Sequence, residues 1–134
     1  MLCVQANIEE NLLNAIIPVD ATRFSFDIQS DLSVSIREQK PGPPERVSGM
    51  TLGIVTMDGD APHGGEVHPD GDEIIYVISG KLQIIGDSSK SEPLTLLPGA
   101  ACVIKKGEWH NVRVLEKTQL MHVTPGPNGS HRPE

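Results

Sequence analysis

Glycine and proline interrupt this chain so often that long helices have little room to form. The 134 residues include 13 Gly and 11 Pro, and turn-forming residues recur about every 8–12 positions, a spacing typical of antiparallel sandwiches and barrels. Short runs rich in Val, Ile, Leu and Thr lie between the turns. These runs are Met50–Met57, Glu73–Ser79, Lys81–Ile85, Glu92–Leu97, Ala101–Ile104, Asn111–Leu115 and Thr118–Thr124. The sequence therefore predicts an all-β fold of short antiparallel strands.

The two ends of the chain have weaker patterns. Apolar residues alternate with polar ones over Thr22–Ile28 and again over Leu32–Ile36, which predicts two half-buried strands. The apolar spacing in Asn7–Ile17 is compatible with a short helix, although an extended edge segment fits it too. Lys40–Arg46 contains three prolines and is expected to be a loop or a short polyproline stretch. Residues 125–134 are expected to lack regular structure.

The charge balance excludes several classes of partner. The formal net charge is −7, with 11 Lys and Arg against 18 Asp and Glu. Nucleic acid and anionic membrane surfaces are therefore not expected to bind.

Cys3 and Cys102 form no C-x-x-C pair, and we expect two reduced thiols. The first residues do not resemble a signal peptide, and no apolar run reaches the roughly 20 residues of a membrane span. We expect a soluble, cytoplasmic protein.

Four side chains that can bind a metal are predicted to converge. Glu66 and His68 lie two residues apart, so on a strand they point to the same face. The turn-forming residues 69–72 follow, and a hairpin closed there would place His68 roughly opposite Glu73. His110 begins another strand after a turn. Two imidazoles and two carboxylates form a mixed nitrogen and oxygen set that suits Mn, Fe, Ni, Co or Zn.

Residues 65–80, GEVHPDGDEIIYVISG, resemble the first conserved motif of the cupin superfamily. That motif contains a His-x-His pair, then a glutamate and, after six more residues, a glycine. His68 matches the second histidine, Glu73 matches the glutamate, and Gly80 matches the glycine. Glu66 occupies the place of the first histidine, which is a departure from the family pattern.

The second cupin motif also has a counterpart in this chain. Gly99, Gly107 and His110 fall at the spacings of its two glycines and its histidine. Lys105 stands where the motif has proline, and Val114 stands where it has asparagine. The resemblance implies a single domain over residues 1–134. An N-terminal arm and strands (1–46), the conserved cupin barrel (47–124) and a tail (125–134) make up that domain.

The resemblance to cupins also implies a fold, a metal site and a function. The fold would be a double-stranded β-helix, the cupin jelly roll of two antiparallel sheets. A divalent transition metal (Fe, Mn, Ni or Zn) would be held by Glu66, His68, Glu73 and His110, with the two glutamates also able to act in catalysis. The expected function is a small-molecule metalloenzyme of the dioxygenase, isomerase or lyase type. A non-catalytic small-molecule-binding or sensor cupin is the alternative. A homodimer joined through sheet faces and N-terminal strands is also expected.

Several assignments near the site stay open in the sequence. Glu66 either ligates the metal or stands beside it as a hydrogen-bonding group or general base. His63, five residues before His68, is a reserve ligand because Gly64 and Gly65 could break the strand. His122 is expected to be hydrogen-bonded or exposed, and Trp109 to pack on the outer layer. The guessed apolar lining of the pocket is Ile75, Val77 and Met121.

Overall fold

The computed structural model describes residues 15–41, 45, 47–88 and 92–133. The nine strands of this part of the chain are β1 (Phe24–Gln29), β2 (Val34–Glu38), β3 (Gly49–Met57), β4 (Glu66–Val67), β5 (Glu73–Gly86), β6 (Leu94–Leu96), β7 (Ala101–Ile104), β8 (His110–Gly126) and β9 (Ser130–His131). Every pairing between them is antiparallel, and the described residues contain no helix. The all-β prediction is confirmed. Most of the expected helix over Asn7–Ile17, and most of the loop over Lys40–Arg46, lie outside the described residues.

Two long strands, β5 and β8, organise the fold. The strand order is β2-β1-β3-β8-β4-β9, while β5 pairs with β8 on one side and with β6 and β7 on the other. The sequence predicted each long strand as two shorter ones, but each is continuous. The β5–β8 register shifts between Val77 and Leu82. There Gly80 has φ +91, and a Cβ on it would lie 2.2 Å from the Lys117 carbonyl oxygen. The bulge therefore needs glycine, and it bends the ribbon without ending either strand.

Alternation along β5 separates the barrel interior from the outer face. Glu73, Ile75 and Val77 are buried, and Ile75 and Val77 belong to the main hydrophobic core. The buried core members are Ile75, Val77, Leu82, Ile84, Leu96, Ile104 and Leu120. Each such aliphatic side chain contributes about 1.5–3 kcal/mol by leaving water. Met121 pairs with outward-facing Tyr76, so its predicted place in the pocket lining was wrong.

The outer face of the same sheet carries apolar side chains that remain partly exposed. One row crosses six strands in register and is called here the outer apolar row: Ile36, Phe26, Leu52, Val123, Ile74 and Val103. Strand β1 buries its polar residues Ser25 and Asp27, whereas a simple amphipathic strand buries its apolar residues. Asp27 satisfies its charge through Arg37, whose Nε donates at 2.8 Å, and through Thr51.

The structure corrects the sequence-based prediction at the tail and at one turn. Strand β8 continues to Gly126, and β9 pairs with β4, so the prediction that residues 125–134 lack regular structure was wrong for residues 125–126 and 130–131. Leu32 lies in the turn before β2 with φ 73 and does not belong to the strand. Within the described ranges, no helix is long and apolar enough to cross a membrane.

Candidate metal centre

The four predicted ligands come together, but not through the predicted hairpin. Strand β4, which carries Glu66, pairs with β8 and β9 among the described strands, and not with β5. Glu66 is the register partner of His110. His68 follows directly after β4, and its carbonyl oxygen accepts a hydrogen bond from the Gly107 amide at 3.1 Å. The β4–β8 bridge and the turn before His110 therefore align these two segments.

Glu73 reaches the other ligands because the barrel closes. It begins β5 next to the pair Ile74 and Val123, whereas His110 pairs with Gly86 at the opposite end of the ribbon. A flat ribbon would hold Glu73 and His110 more than ten residues apart along β5, or roughly 40 Å. The bend in the ribbon instead brings them into contact. No short sequence motif states this distance explicitly, because it is a property of the closed fold.

The donor atoms face one another across a small space. His110 Nε2 lies 3.1 Å from Glu73 Oε1 and 3.4 Å from Glu66 Oε1. His68 Nε2 lies 3.4 Å from Glu73 Oε2 and 3.8 Å from Glu66 Oε1. When one ligand atom is taken from each of the four residues, these four atoms all lie within 4.8 Å of one another. Two imidazole nitrogens and two carboxylates at these separations form a donor set that can contract onto one ion.

Burial makes this cluster costly unless its polar atoms find partners. His110 is fully buried and Glu73 is 3% exposed. Both ring nitrogens of His68 are buried, and neither forms a hydrogen bond of normal geometry with any described residue. Buried polar atoms without partners are rare in folded proteins and usually indicate an ion, a water molecule or a functional group. His68 Nε2, which faces both carboxylates, fits a metal ion in that role.

The electrostatics of the cluster couple the imidazoles to the carboxylates. Burial opposes a charge on His110, but Glu66 and Glu73 outweigh it and raise the pKa of His110 to about 10. Burial likewise opposes a charge on His68, yet Glu66 and Glu73 raise its pKa. Burial alone would raise the pKa of Glu66, and the two imidazoles hold that pKa well below its usual range. The metal-free cluster therefore holds protons where a metal ion would supply the positive charge.

His110 is oriented by a hydrogen bond on its far side. Its Nδ1 lies 3.0 Å from the Glu108 carbonyl oxygen and can donate to it. This bond leaves Nε2 directed at the carboxylates, which is the arrangement that metal-ligating histidines commonly have.

Glu73 is held by a threonine and a histidine that the sequence analysis did not assign to the site. Thr124 Oγ1 donates to Glu73 Oε2 at 2.5 Å, and His122 Nδ1 lies 2.7 Å from the same Thr124 oxygen. A relay from His122 through Thr124 therefore fixes the second carboxylate oxygen of Glu73. His122 is hydrogen-bonded, as expected. The available signal was parity, because residues 122 and 124 share one face of a strand.

His63 lies at the edge of the cluster. Its Nε2 is 4.0 Å from Glu66 Oε2, and its Nδ1 accepts a hydrogen bond from the Gly65 amide. Its ring is 5.7 Å from the ring of His131 on β9. Glu66 therefore turns one oxygen towards His68 and His110 and the other towards His63. The group of four ligands forms without His63.

A cavity of about 250 Å³ adjoins the cluster on the side of His110. Apolar side chains of β5, β6 and β7 contribute to its walls, and charged groups lie among the same lining residues. The lining includes Ile84, Leu94, Cys102, Ile104, Lys105, Glu108 and His110. A cavity of this size suits a small ligand.

Comparison with known proteins identifies the family. The family model for the cupin domain matches residues 53–124, which include all four candidate ligands. The chain belongs to the cupin family. No curated protein matches the sequence closely enough to add to this assignment.

Three solved structures are similar to this cupin. A cupin-2 domain protein from Shewanella frigidimarina is 27% identical, with 66% of this chain and 83% of that one covered and a TM-score of 0.49. A conserved protein of unknown function from Streptococcus pyogenes is 20% identical, with coverages of 69% and 71% and a TM-score of 0.50. An oxalate decarboxylase variant from Bacillus subtilis is 18% identical, with coverages of 62% and 24% and a TM-score of 0.52. At these identities, the last two matches show the fold alone.

The departures of this cupin from the family motifs have local explanations. Glu66, in the place of the first histidine, directs Oε1 into the cluster, where it faces both imidazoles. Lys105, in the place of proline, has its Nζ 2.8 Å from Asp72 Oδ2, and the Lys106 amide donates to the same carboxylate. These contacts tie the turn before β5 to the turn that precedes His110.

Proposed function

We propose that this cupin binds one divalent transition metal through Glu66, His68, Glu73 and His110 and uses it to act on a small molecule. The observation that carries the proposal is the buried set of four ligand atoms within 4.8 Å of one another. Two carboxylates make this set harder than one with three histidines, which favours Mn or Fe(II) among the candidates Fe, Mn, Ni and Zn.

The chain's own residues divide the work at such a site. Glu73 is held by Thr124 and His110 and is almost fully buried, so it suits the role of a fixed ligand. Glu66 has a side chain that is 31% exposed, and its second oxygen faces the rim of the cluster. It can therefore both touch the metal and exchange a proton with a bound molecule, as a general base does. A bound metal would supply Lewis acidity or activate dioxygen.

The substrate that we propose is a small molecule with oxygen donors. The cavity of about 250 Å³ has a largely apolar wall that would hold the carbon frame of such a molecule, and His110 is the one candidate ligand among its lining residues. Dioxygenase, isomerase or lyase chemistry is compatible with this arrangement. Turnover of members of a substrate panel by the metal-loaded protein, and not by the metal-free protein, would separate an enzyme from a binding protein.

Elemental analysis of protein purified without added metal tests the binding proposal. We expect close to one transition-metal ion per chain, or stoichiometric uptake when the metal-free protein is titrated with Mn, Fe(II), Ni and Zn. Glu73→Gln should weaken binding at least 100-fold, because it removes a charged ligand. Glu116→Gln is the matched control, since Glu116 lies on β8 with a 62% exposed side chain. Wild-type protein that binds none of these metals at neutral pH would refute the proposal.

A further inference from the structure

The end of the chain forms a strap over the segment that carries Glu66 and His68. Residues 127–133, called here the C-terminal strap, lie beyond the part that matches the cupin family model. Within the strap, β9 pairs with β4 through Glu66 with His131 and Val67 with Ser130. Among the described residues, strand β4 has one other register pair, Glu66 with His110. The strap therefore supplies most of the strand pairing of a two-residue, ligand-bearing strand.

Arg132 anchors one end of the strap to several parts of the fold at once. Its Nη1 and Nη2 donate to the two Asp87 carboxylate oxygens at 2.6 and 2.7 Å, and its Nε donates to the Gly64 carbonyl oxygen at 2.9 Å. The guanidinium also lies 4.8 Å from the centre of the Trp109 ring. Planar, two-pronged carboxylate pairing combined with stacking on an aromatic ring is a geometry that arginine provides and lysine does not.

These contacts join the two ligand-bearing segments. Gly64 lies two residues before Glu66, and Trp109 directly precedes His110. The main chain adds two bonds, from the Arg132 amide to Gly65 and from the Gly64 amide to Arg132. A Cβ at position 65 would lie 2.9 Å from Arg132 Nη2. Glycine at position 65 therefore leaves the space that the guanidinium uses.

The other end of the strap is fixed beside His68. The Asp70 carboxylate accepts hydrogen bonds from the Asn128 amide at 2.6 Å and from its side chain at 2.8 Å. Between the two anchors, Gly129 lies against the His68 ring, because a Cβ on it would be 3.3 Å from His68 Nδ1. The Nδ1 edge of the His68 ring is therefore covered by the strap.

We propose that the C-terminal strap, anchored by Arg132, positions Glu66, His68 and His110 for metal binding. This inference rests on the proposed metal site. Arg132 is a positioning residue, since it touches none of the four ligand side chains in the contacts described above and acts through the segments that carry them. Because the strap orders residues 64–68 before the metal binds, the site loses less conformational freedom on binding, and the metal affinity is higher.

The test compares Arg132→Gln with Arg113→Gln, which makes the same charge change at an exposed position of β8. Metal affinity is measured by competition with a chelator, using Zn as the probe. Amide hydrogen exchange of residues 64–68 is measured in the metal-free proteins. We expect Arg132→Gln to lower affinity about 10–100-fold and to accelerate exchange in residues 64–68, while Arg113→Gln changes neither. Arg132→Lys should give an intermediate loss, since it keeps the charge and loses the two-pronged pairing.

A second variant tests the strap without removing an anchor. Gly129→Ala places a methyl group against His68 Nδ1, and we expect weaker Zn binding with little change in exchange outside residues 64–68. Wild-type affinity in both Arg132→Gln and Gly129→Ala would overturn the inference, even if exchange became faster, because the strap would then be structural only. Failure of the wild-type protein to bind Zn or any other tested metal would instead overturn the proposed function.

Discussion

Metal affinity should continue to rise with pH well above the pH range in which an ordinary histidine titrates. The two carboxylates raise the pKa of His110 to about 10 in the metal-free protein. A metal ion must displace that proton to bind Nε2. Because the group remains protonated up to its raised pKa, apparent affinity should keep rising about tenfold per pH unit between pH 6.5 and 8.5, or about 100-fold in all. An unshifted histidine would give about a twofold rise over the same range. His68, whose pKa is also raised, can only steepen the slope.

The assay is a competition titration with Zn and a chelator whose own protonation is known. Ionic strength stays fixed, and each titration is repeated in two buffers of different ionisation enthalpy, so that calorimetry counts the protons released. At pH 7.5 we expect the protein to release at least about one proton for each metal ion that it binds. Glu66→Gln is the internal check, since Glu66 is the largest contributor to the raised pKa of His110 after the opposing effect of burial. This variant should flatten the slope at its upper end.

An affinity that changes by less than threefold between pH 6.5 and 8.5, with no proton release, would refute this reasoning. It would mean that the imidazoles are already neutral in the metal-free protein, and that the carboxylates do not act on them as the distances indicate.

Three further predictions address the ligand set, its support and the outer face. Glu66→His should retain binding with a shift towards softer metals, whereas Glu66→Gln should lose much of the affinity; titration with Mn and Zn measures both. Thr124→Val should lower metal affinity about tenfold by releasing Glu73 Oε2, while Thr95→Val at an exposed position of β6 should not. Equal affinities of Thr124→Val and the wild type would exclude the relay. If the protein is a dimer, light scattering should give twice the 14.5 kDa chain mass. Phe26→Glu, in the outer apolar row, should shift the protein to a monomer. A wild-type protein that stays monomeric across a wide concentration range would contradict the dimer.

Much of the site could be predicted from the sequence because its ligands lie at motif spacings. His68, Glu73 and His110 follow fixed intervals that constrain the fold, and parity placed Glu66 on the same face as His68. The geometry behind the convergence was not predictable from local pattern. A hairpin is the simplest local solution for residues 66–73, but barrel closure gave β4 different partners, β8 and β9.

The tail could not be predicted because its strand contains too few residues to show a pattern. Ser130 and His131 have no alternation to detect, and the Gly and Pro residues around them are typical of loops. Their pairing depends on a vacant strand edge at β4 and on the side-chain anchors of Arg132 and Asn128, which are long-range contacts. Thr124 was missed for a similar reason, since its role depends on which residue lies beside it in the sheet.

The most direct test of the proposed metal site is a crystal structure of the metal-loaded protein, with anomalous scattering recorded at the absorption edge of the bound metal. We expect one strong anomalous peak per chain, with Nε2 of His68 and His110 and a carboxylate oxygen of Glu66 and Glu73 at about 2.0–2.2 Å from it. A peak elsewhere on the chain, or no peak between these four side chains in protein that has taken up stoichiometric metal, would contradict it.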